Sequence, residues 1–262
     1  MSFGIYREGD SLAHRLDPRA KIVFVLLYIV AAFLVQSAPG LAVAALVAIG
    51  VLVASGTGPR GAAAALRPFA WLMLFVLVFD VLFVNEGQVL AQAGPICISV
   101  SGIQFALKAV VRFACVLLGT STLMTTTSPT SLADGAALLL APLQKLGVNT
   151  NNAAMVLGMT LRFIPVVSEE MARVREAQEL RYANFTGGVI ARLRAYVPVI
   201  IPLFQGAMRR AETLALAMEN REYDPQGTRT CIRSYRLTRA DVAVLALGCV
   251  LVALAVVDLV LL

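Results

Sequence analysis

Five stretches of the chain are almost continuously apolar and are separated by polar or turn-forming segments. Such runs are typical of membrane-spanning helices, which need about 20 apolar residues to cross the hydrocarbon core. The first two are shorter, but snorkelling flanks and local bilayer thinning accommodate short spans. We therefore predict membrane helices at Ile22 to Val35, Leu41 to Ser55, Pro68 to Val84, Ile103 to about Thr122, and Val242 to Leu262.

Between residues 125 and 239 the apolar residues become periodic instead of continuous. They recur at three- and four-residue steps, which is the period of an amphipathic helix. One apolar seam comprises Val167, Met171 and Val174, and a second comprises Leu203, Ala207, Ala211, Leu214 and Met218. On the opposite faces, Glu169 has the spacing of an ion pair with Arg173, and Arg209 and Arg210 are expected to be exposed. No strand-like alternation is evident, so we predict an all-α membrane bundle with a helical arm.

The two amphipathic helices end in the same pattern. The segments Ala177-x-Glu179-x-Arg181 and Ala217-x-Glu219-x-Arg221 share the order Ala-x-Glu-x-Arg and lie 40 residues apart. A proline precedes each helix, where it would kink or break a longer one; these prolines are Pro165, Pro198 and Pro202. The matched patterns indicate that the arm contains two equivalent helix ends.

Composition and charge exclude a soluble globular protein and orient the chain. Hydrophobic residues make up 59% and charged residues 15%, against about 45–50% and 25% in soluble domains. Arginine and lysine collect before the first span and after the second, which predicts that these segments are cytoplasmic, whereas the loops at 37–40 and 85–101 are expected outside. The segment 125–239 holds 14 of the 22 basic residues, so it is also predicted to be cytoplasmic.

These patterns divide the chain into four regions. We predict a cytoplasmic N-terminal segment at 1–21, membrane helices one to four at 22–124, a cytoplasmic arm at 125–239 and a final membrane helix at 240–262. The protein would thus be a multi-pass protein of the cell membrane, with its N-terminus and arm inside.

Catalytic motifs are absent from the sequence. It has no G-x-x-x-x-G-K-[ST] loop for a nucleotide phosphate, one histidine, His14, and four well-separated cysteines. A membrane enzyme would need a convergent cluster of such groups, so we expect no catalytic residue, bound cofactor or metal. Ionisable residues in apolar runs are costly. Either Asp80 therefore pairs with one of Lys108 and Arg112 inside the bundle, or these residues contact a substrate or partner.

An ordered set of motifs resembles a known family. The segments are Ser11-x-x-His14-x-Leu16-Asp17-Pro18-Arg19-x-Lys21, Ala141-Pro142-Leu143-x-Lys145-x-Gly147-Val148, Leu161-Arg162-Phe163-Ile164-Pro165, Arg210-Ala211-Glu212-x-Leu214-Ala215-x-Ala217-Met218-Glu219-x-Arg221, and Arg229-Thr230. Together they resemble the transmembrane T component of energy-coupling factor (ECF) transporters, the family that includes the cobalt-transport membrane subunit. Asp17-Pro18 is also a plain helix N-cap followed by proline at the first helical position.

The resemblance implies a non-catalytic scaffold with several partners. In this family the T component couples two ABC-type ATPases, identical or different, to a small substrate-capturing membrane protein, the S component. The cargo would be a vitamin or a transition-metal ion. ATP and Mg²⁺ would be used by the ATPases, and this chain would bind neither these nor a nucleic acid; the lipid bilayer would be its surroundings. The main alternative is a self-contained ABC permease, which would need more spans and polar residues along its own substrate path.

The resemblance also implies which residues contact the partners. The motif arginines expected to dock in grooves of the ATPases match Arg181 and Arg221. The surrounding coupling residues are Ala177, Glu179, Leu180 and Tyr182 at the first site and Ala217, Glu219, Asn220 and Glu222 at the second. Further arm or partner contacts are expected at Asp17, Pro18, Arg19, Arg162 and Pro165. The chain departs from the family at the residues beside each arginine, which are usually small. An arginine at a helix C-terminus could also merely complement the helix dipole.

Overall fold

The structure, a computed structural model, describes residues 9, 11, 13–83, 89–93, 96–142, 150–182, 185, 188–224 and 238–261. Two compact units are distinguished. The first, called the bundle, comprises Met1–Leu139 and Tyr235–Leu262, and the second, called the arm, comprises Leu140–Ser234. The described helices are α1 (Pro18–Leu34), α2 (Ala38–Ala54), α3 (Gly58–Leu66), α4 (Ala70–Phe83), α5 (Val100–Thr126), α6 (Pro129–Leu140), α7 (Thr150–Leu180), α8 (Val189–Glu219) and α9 (Arg239–Leu261).

In the bundle, α1 packs most extensively on α9, while α5 packs against α1, α2 and α4. Tyr28 of α1 lies at the centre and donates a hydrogen bond from its hydroxyl to the Ala44 carbonyl, at 3.0 Å. Gly119 permits this packing, because a Cβ atom there would lie 3.0 Å from the Tyr28 ring. Small residues at helix contacts let backbones approach closely, as in other membrane bundles.

The all-α fold class is confirmed, with one local exception. The loop after α4 forms a short antiparallel hairpin of β1 (Val89–Ala93) and β2 (Ile96–Ser99), with Ala93 opposite Ile96. The expectation that the chain forms no strand is therefore wrong in this loop. The sequence Ile96-Cys97-Ile98-Ser99 contains β-favouring residues in a short alternating run, too brief to stand out beside the long apolar blocks.

Four described helical runs are long and apolar enough to cross a membrane by length and composition, namely Gly58–Phe83, Val100–Thr126, Val189–Glu219 and Arg239–Leu261. The apolar helix Ala38–Ala54 is shorter. The third span of the sequence analysis starts earlier than expected, because a 3₁₀ turn at Arg67–Phe69 joins α3 to α4 instead of ending the helix. The periodic pattern predicted α8 as a helix of the arm, and α8 also meets this criterion for a span.

Both arm helices are continuous through their prolines. Pro165 lies inside α7, and Pro198 and Pro202 lie inside α8. The expectation that these residues precede a helix or break it is wrong. Proline removes one backbone hydrogen bond and crowds the preceding turn, but a helix of 31 residues retains most of its other backbone bonds on either side.

Candidate partner-docking site

The candidate site consists of the C-terminal ends of α7 and α8, where the two motif arginines lie. At the end of α8, the Glu222 N–H donates to the Glu219 carbonyl at 2.9 Å and the Tyr223 N–H donates to the Met218 carbonyl at 3.0 Å. This pair of bonds is a Schellman motif, in which Arg221 is the C-cap and Glu222 is the first residue outside the helix.

The end of α7 has the same geometry over its described residues. The Tyr182 N–H donates to the Glu179 carbonyl at 3.0 Å, which corresponds to the Glu222 bond forty residues later. Arg181 therefore occupies the C-cap position, as Arg221 does. The repeated sequence pattern thus marks two equivalent helix ends, each with an arginine in the turn that terminates the helix.

The residue after each arginine adopts a left-handed backbone conformation. Tyr182 has φ of 64° and Glu222 has φ of 53°, and they are the only non-glycine residues with positive φ in the described part of the chain. Glycine normally occupies this position, since it lacks the Cβ atom that makes the conformation costly. A non-glycine residue here costs on the order of 1 kcal/mol or more.

The two ends differ in chemistry although their backbones match. We call Leu180, Arg181 and Tyr182 the first tip, and Asn220, Arg221 and Glu222 the second tip. The first tip exposes two large apolar side chains, with Leu180 80% and Tyr182 97% accessible. The second tip is polar, and all six tip residues are exposed.

The motif residues that precede each tip within its helix are also exposed. Ala177 and Glu179 precede the first tip, and Ala217 and Glu219 precede the second, all on accessible faces. Glu179 accepts a hydrogen bond from Arg175 Nε at 2.9 Å, an i, i+4 ion pair on the surface of α7. The pair predicted between Glu169 and Arg173 is not among the ion pairs of the described residues; the i, i+4 pair on α7 begins six residues further along, at Arg175.

Phe185, which the sequence analysis did not single out, attaches the first tip to α8. Its buried ring lies 5.3 Å from the Arg175 guanidinium carbon of α7 and 5.3 Å from the Tyr196 ring of α8, edge to face. Cation–π and aromatic contacts of this kind each contribute about 0.5–1.5 kcal/mol. The signal in the sequence was a lone phenylalanine in an otherwise polar connection between two helices.

A second contact joins the middle of the two helices. Glu170 Oε2 of α7 lies 2.6 Å from Arg210 Nη2 of α8, and both side chains are partly buried. Gly206 provides the space, because a Cβ atom there would lie 3.0 Å from Glu170 Oε1. The expectation that Arg210 is exposed is wrong, since it is paired at the helix contact; Arg209 is exposed as expected.

The apolar seams of the arm are only partly covered. In the first, Val167 and Met171 are exposed, while Val174 is partly buried. In the second, Leu203, Leu214 and Met218 are partly buried, whereas Ala207 and Ala211 are exposed. Val174 and Leu214 occupy equivalent positions, 40 residues apart, so the internal repeat extends from the sequence to the side chains that pack.

The remaining predicted contact residues lie on two different elements. Arg162 and Pro165 are exposed on α7. Asp17 and Pro18 are buried in the bundle and Arg19 is half-buried. Asp17 caps α1 as the sequence indicated, accepting a hydrogen bond from the Arg19 N–H at 2.9 Å. Their contact with a partner stays a prediction. The motif segments at 143–148 and 229–230 lie outside the described residues.

Asp241 holds this end of the bundle together and was missed in the sequence analysis. Its carboxylate is fully buried and accepts hydrogen bonds from the Asp17 N–H at 2.8 Å and from the N–H and hydroxyl of Thr238, each at 2.7 Å. Thr238-x-x-Asp241 before an apolar run is a capping-box pattern. That pattern could have identified the start of α9, but not the bond to Asp17.

Lys21 lies in the same region, one residue before the first apolar block, and its side chain contacts the end of α5. Its ammonium donates to the Thr126 carbonyl at 3.2 Å and to the Thr127 hydroxyl at 3.4 Å. Burial lowers the pKa of Lys21 to about 8, an effect that the carboxylates of Asp241 and Asp17 oppose. The start of α1, the end of α5 and the start of α9 therefore share one end of the bundle.

Lys108 and Arg112 are bound at the α1–α2 turn. Lys108 Nζ donates to the Gln36 carbonyl at 3.0 Å, and Arg112 Nη2 donates to the Val35 carbonyl at 2.5 Å. Asp258 of α9 accepts from the N–H groups of Gln36 and Ser37 at this turn. The alternative of a pair with Asp80 is wrong, because neither ion pair among the described residues includes Asp80.

No cluster of three metal-ligating side chains is found in the described part of the chain.

The fold and tips define a class of protein, a polytopic helical membrane protein whose arm presents two matched arginine-capped helix ends. The sequence profile of the cobalt transport protein family, CbiQ, matches residues 9–231. The chain belongs to this family, to which the motif resemblance also pointed.

Several relatives carry the name energy-coupling factor transporter transmembrane protein EcfT. The protein of Thermosediminibacter oceani is 38% identical over 244 residues, which are 93% of this chain and 92% of the relative. That of Limosilactobacillus fermentum is 38% identical over 246 residues, with 93% and 92% coverage. That of Bacillus subtilis is 35% identical over 255 residues, with 97% and 96% coverage. The similarity thus extends over nearly the whole chain.

Proposed function

We propose that this protein is the scaffold subunit of an ECF-type ABC importer, coupling ATP hydrolysis by two ATPase subunits to an S component that captures a vitamin or transition-metal ion. The observation that carries the proposal is the pair of matched helix ends, with Arg181 and Arg221 at the C-cap of α7 and α8. Two ATPase subunits offer two docking grooves, and the arm offers two tips.

The chemistry of the tips supports docking over a purely local role. An exposed arginine at a helix C-terminus complements the dipole by only about 0.3–1 kcal/mol. Neither tip arginine is among the ion-paired residues of the described chain. The guanidinium groups are therefore accessible to carboxylates and carbonyls of a partner, with five N–H donors in a planar fork.

Charge supports an arm on the cytoplasmic side, where ATP is available. Although α8 is apolar enough to be counted with membrane helices, its charge-free stretch runs from Ala195 to Met208. Fourteen residues of α-helix extend about 21 Å, the same as the first predicted span, so the charges at its ends and not its length argue for its placement. With four arginines flanking this stretch, α8 suits a membrane surface or a partner better than a span.

Exposed apolar residues within this charge-free stretch of α8 favour a membrane-embedded partner. In α8, Val197, Ile201 and Phe204 are each more than half accessible. An S component embedded in the membrane would supply such a surface. In this mechanism the chain binds no cofactor, and ATP and Mg²⁺ act in the ATPases. The chain transmits movement by holding the tips in a fixed relation through Phe185 and the Glu170–Arg210 pair.

The test is to remove the arginines without disturbing the fold. Arg181→Ala and Arg221→Ala should each insert normally but lose uptake, because truncating a docked anchor costs about 2 kcal/mol, or roughly 30-fold in affinity. The double variant should release the ATPases during purification. Arg209→Ala, which removes an exposed arginine of α8 away from the tips, is the control. Full ATPase retention and uptake by the double variant would refute the proposal.

A further inference from the structure

The first tip exposes more apolar surface than a docking arginine requires. Leu180 and Tyr182 flank Arg181 and are almost fully accessible, at 80% and 97%. We propose that the Leu180 and Tyr182 side chains are anchors that insert into an apolar groove of one ATPase subunit, making the first tip specific for that groove. This inference rests on the proposed function, because it assumes that the tips dock on the ATPases.

The backbone at Tyr182 argues that its side chain has a use. The residue has φ of 64°, in a conformation that glycine or asparagine would adopt at lower cost. Backbone strain of this kind persists where it serves a function, such as preorganising a binding group. Since Tyr182 is the most exposed of the large apolar residues in the described chain, packing within the arm does not account for it.

The first tip is also held in place before any partner binds. Phe185, three residues after Tyr182, is buried between Arg175 of α7 and Tyr196 of α8. This contact fixes the position of Phe185 against both helices. Preorganised anchors lose less conformational freedom on binding, which improves affinity, and aromatic side chains are enriched among residues that dominate interfaces.

The second tip provides a contrast within the same molecule. Its backbone follows the same path, but Asn220 and Glu222 replace the leucine and tyrosine. A carboxylate beside Arg221 suits a groove with a cationic or N–H donor group and not an apolar one. The two tips would therefore not be interchangeable, even though Tyr182 and Glu222 make equivalent backbone hydrogen bonds.

The experiment separates the tyrosine ring from the backbone strain. Tyr182→Phe keeps the ring, Tyr182→Asn removes it but tolerates the left-handed conformation, and Tyr182→Gly removes both ring and strain. Affinity is measured with the ATPase pair that co-purifies with the wild-type chain, using detergent-solubilised protein at fixed salt. Thermal unfolding of each variant without ATPases reports the fold separately.

We expect Tyr182→Phe to bind within threefold of wild type, and Tyr182→Asn and Tyr182→Gly to bind about tenfold or more weakly while unfolding at the same or a higher temperature. Glu212→Ala, which removes an exposed carboxylate of α8 away from both tips, should alter affinity less than threefold. Wild-type affinity of the Asn and Gly variants would overturn the inference, as would a tenfold loss with Phe. If those variants bind normally while Arg181→Ala does not, the proposed function survives; if Arg181→Ala also binds normally, the proposed function fails as well.

Discussion

The bundle and the arm use their charged residues in opposite ways. In the bundle, Asp17, Lys21 and Asp241 are buried and their hydrogen-bonding partners belong to the same chain. In the arm, the tip residues Arg181 and Arg221 are exposed. Buried charges need partners to offset their desolvation, whereas exposed ones remain available to other molecules.

Apolar residues show the same contrast. Nearly all of the buried hydrophobic side chains of the described residues are in the bundle, and the arm contributes Phe185 and Val199. Both regions expose large apolar side chains, for example Trp71 in the bundle and Ile190, Leu193 and Phe204 in the arm, but the arm has few buried ones of its own. A region that buries so few of its own apolar side chains gains stability from the protein or membrane surface that covers it. Sequence changes in the bundle should therefore affect folding, and changes in the arm should mainly affect association.

The strongest test of this contrast is Asp241→Ala. It leaves the Asp17 N–H and two Thr238 donors without their buried acceptor, which should lower the free energy of unfolding by about 3 kcal/mol or more. Thermal unfolding in detergent measures the loss. The control is Glu212→Ala, which removes an exposed carboxylate from α8 and should change stability by less than about 0.5 kcal/mol. Equal unfolding temperatures for the two variants would contradict the contrast.

A smaller effect is expected where the arm helices pack. Leu214→Asp places a carboxylate at a partly buried position of α8 and should cost about 2 kcal/mol, seen as faster proteolysis within the arm. Met171→Asp lies in the other predicted seam but at a side chain that is 45% accessible, so its effect on the isolated protein should be much smaller. The sequence pattern alone predicts equal effects, and comparable cleavage rates would show that both seams are packed.

The smallest effect concerns the Glu170–Arg210 contact. Removing this partly buried pair should cost about 1 kcal/mol, compared with about 0.3–0.5 kcal/mol for the exposed Arg175–Glu179 pair. Arg210→Glu should be worse, because it sets two carboxylates side by side, and adding Glu170→Arg should recover part of the stability. A double-mutant cycle on the unfolding free energy measures the coupling. If the double variant Glu170→Arg with Arg210→Glu recovers no stability, packing around Gly206 and not charge attraction determines this contact between α7 and α8.

Hydropathy was sufficient to locate most helices. The apolar blocks that begin at Leu41, Ile103 and Val242 became α2, α5 and α9 with boundaries shifted by a few residues. It was insufficient at Pro165, because proline weakens a helix locally and the surrounding residues decide whether the helix continues. It also missed the hairpin at Val89–Ala93, where strand pairing depends on a partner segment.

The sequence by itself determined the membrane bundle, the amphipathic arm and the repeat of the two arginine-capped ends, because continuous and periodic apolar patterns are local properties of a chain. Only the tertiary structure decided which charges pair. Asp241 is 224 residues from Asp17 and Arg210 is 40 residues from Glu170, and such contacts exist only once helices pack. It also decided that Tyr182 and Glu222 adopt left-handed conformations, since the side-chain types there favour other backbone angles, and the helix end overrides that preference.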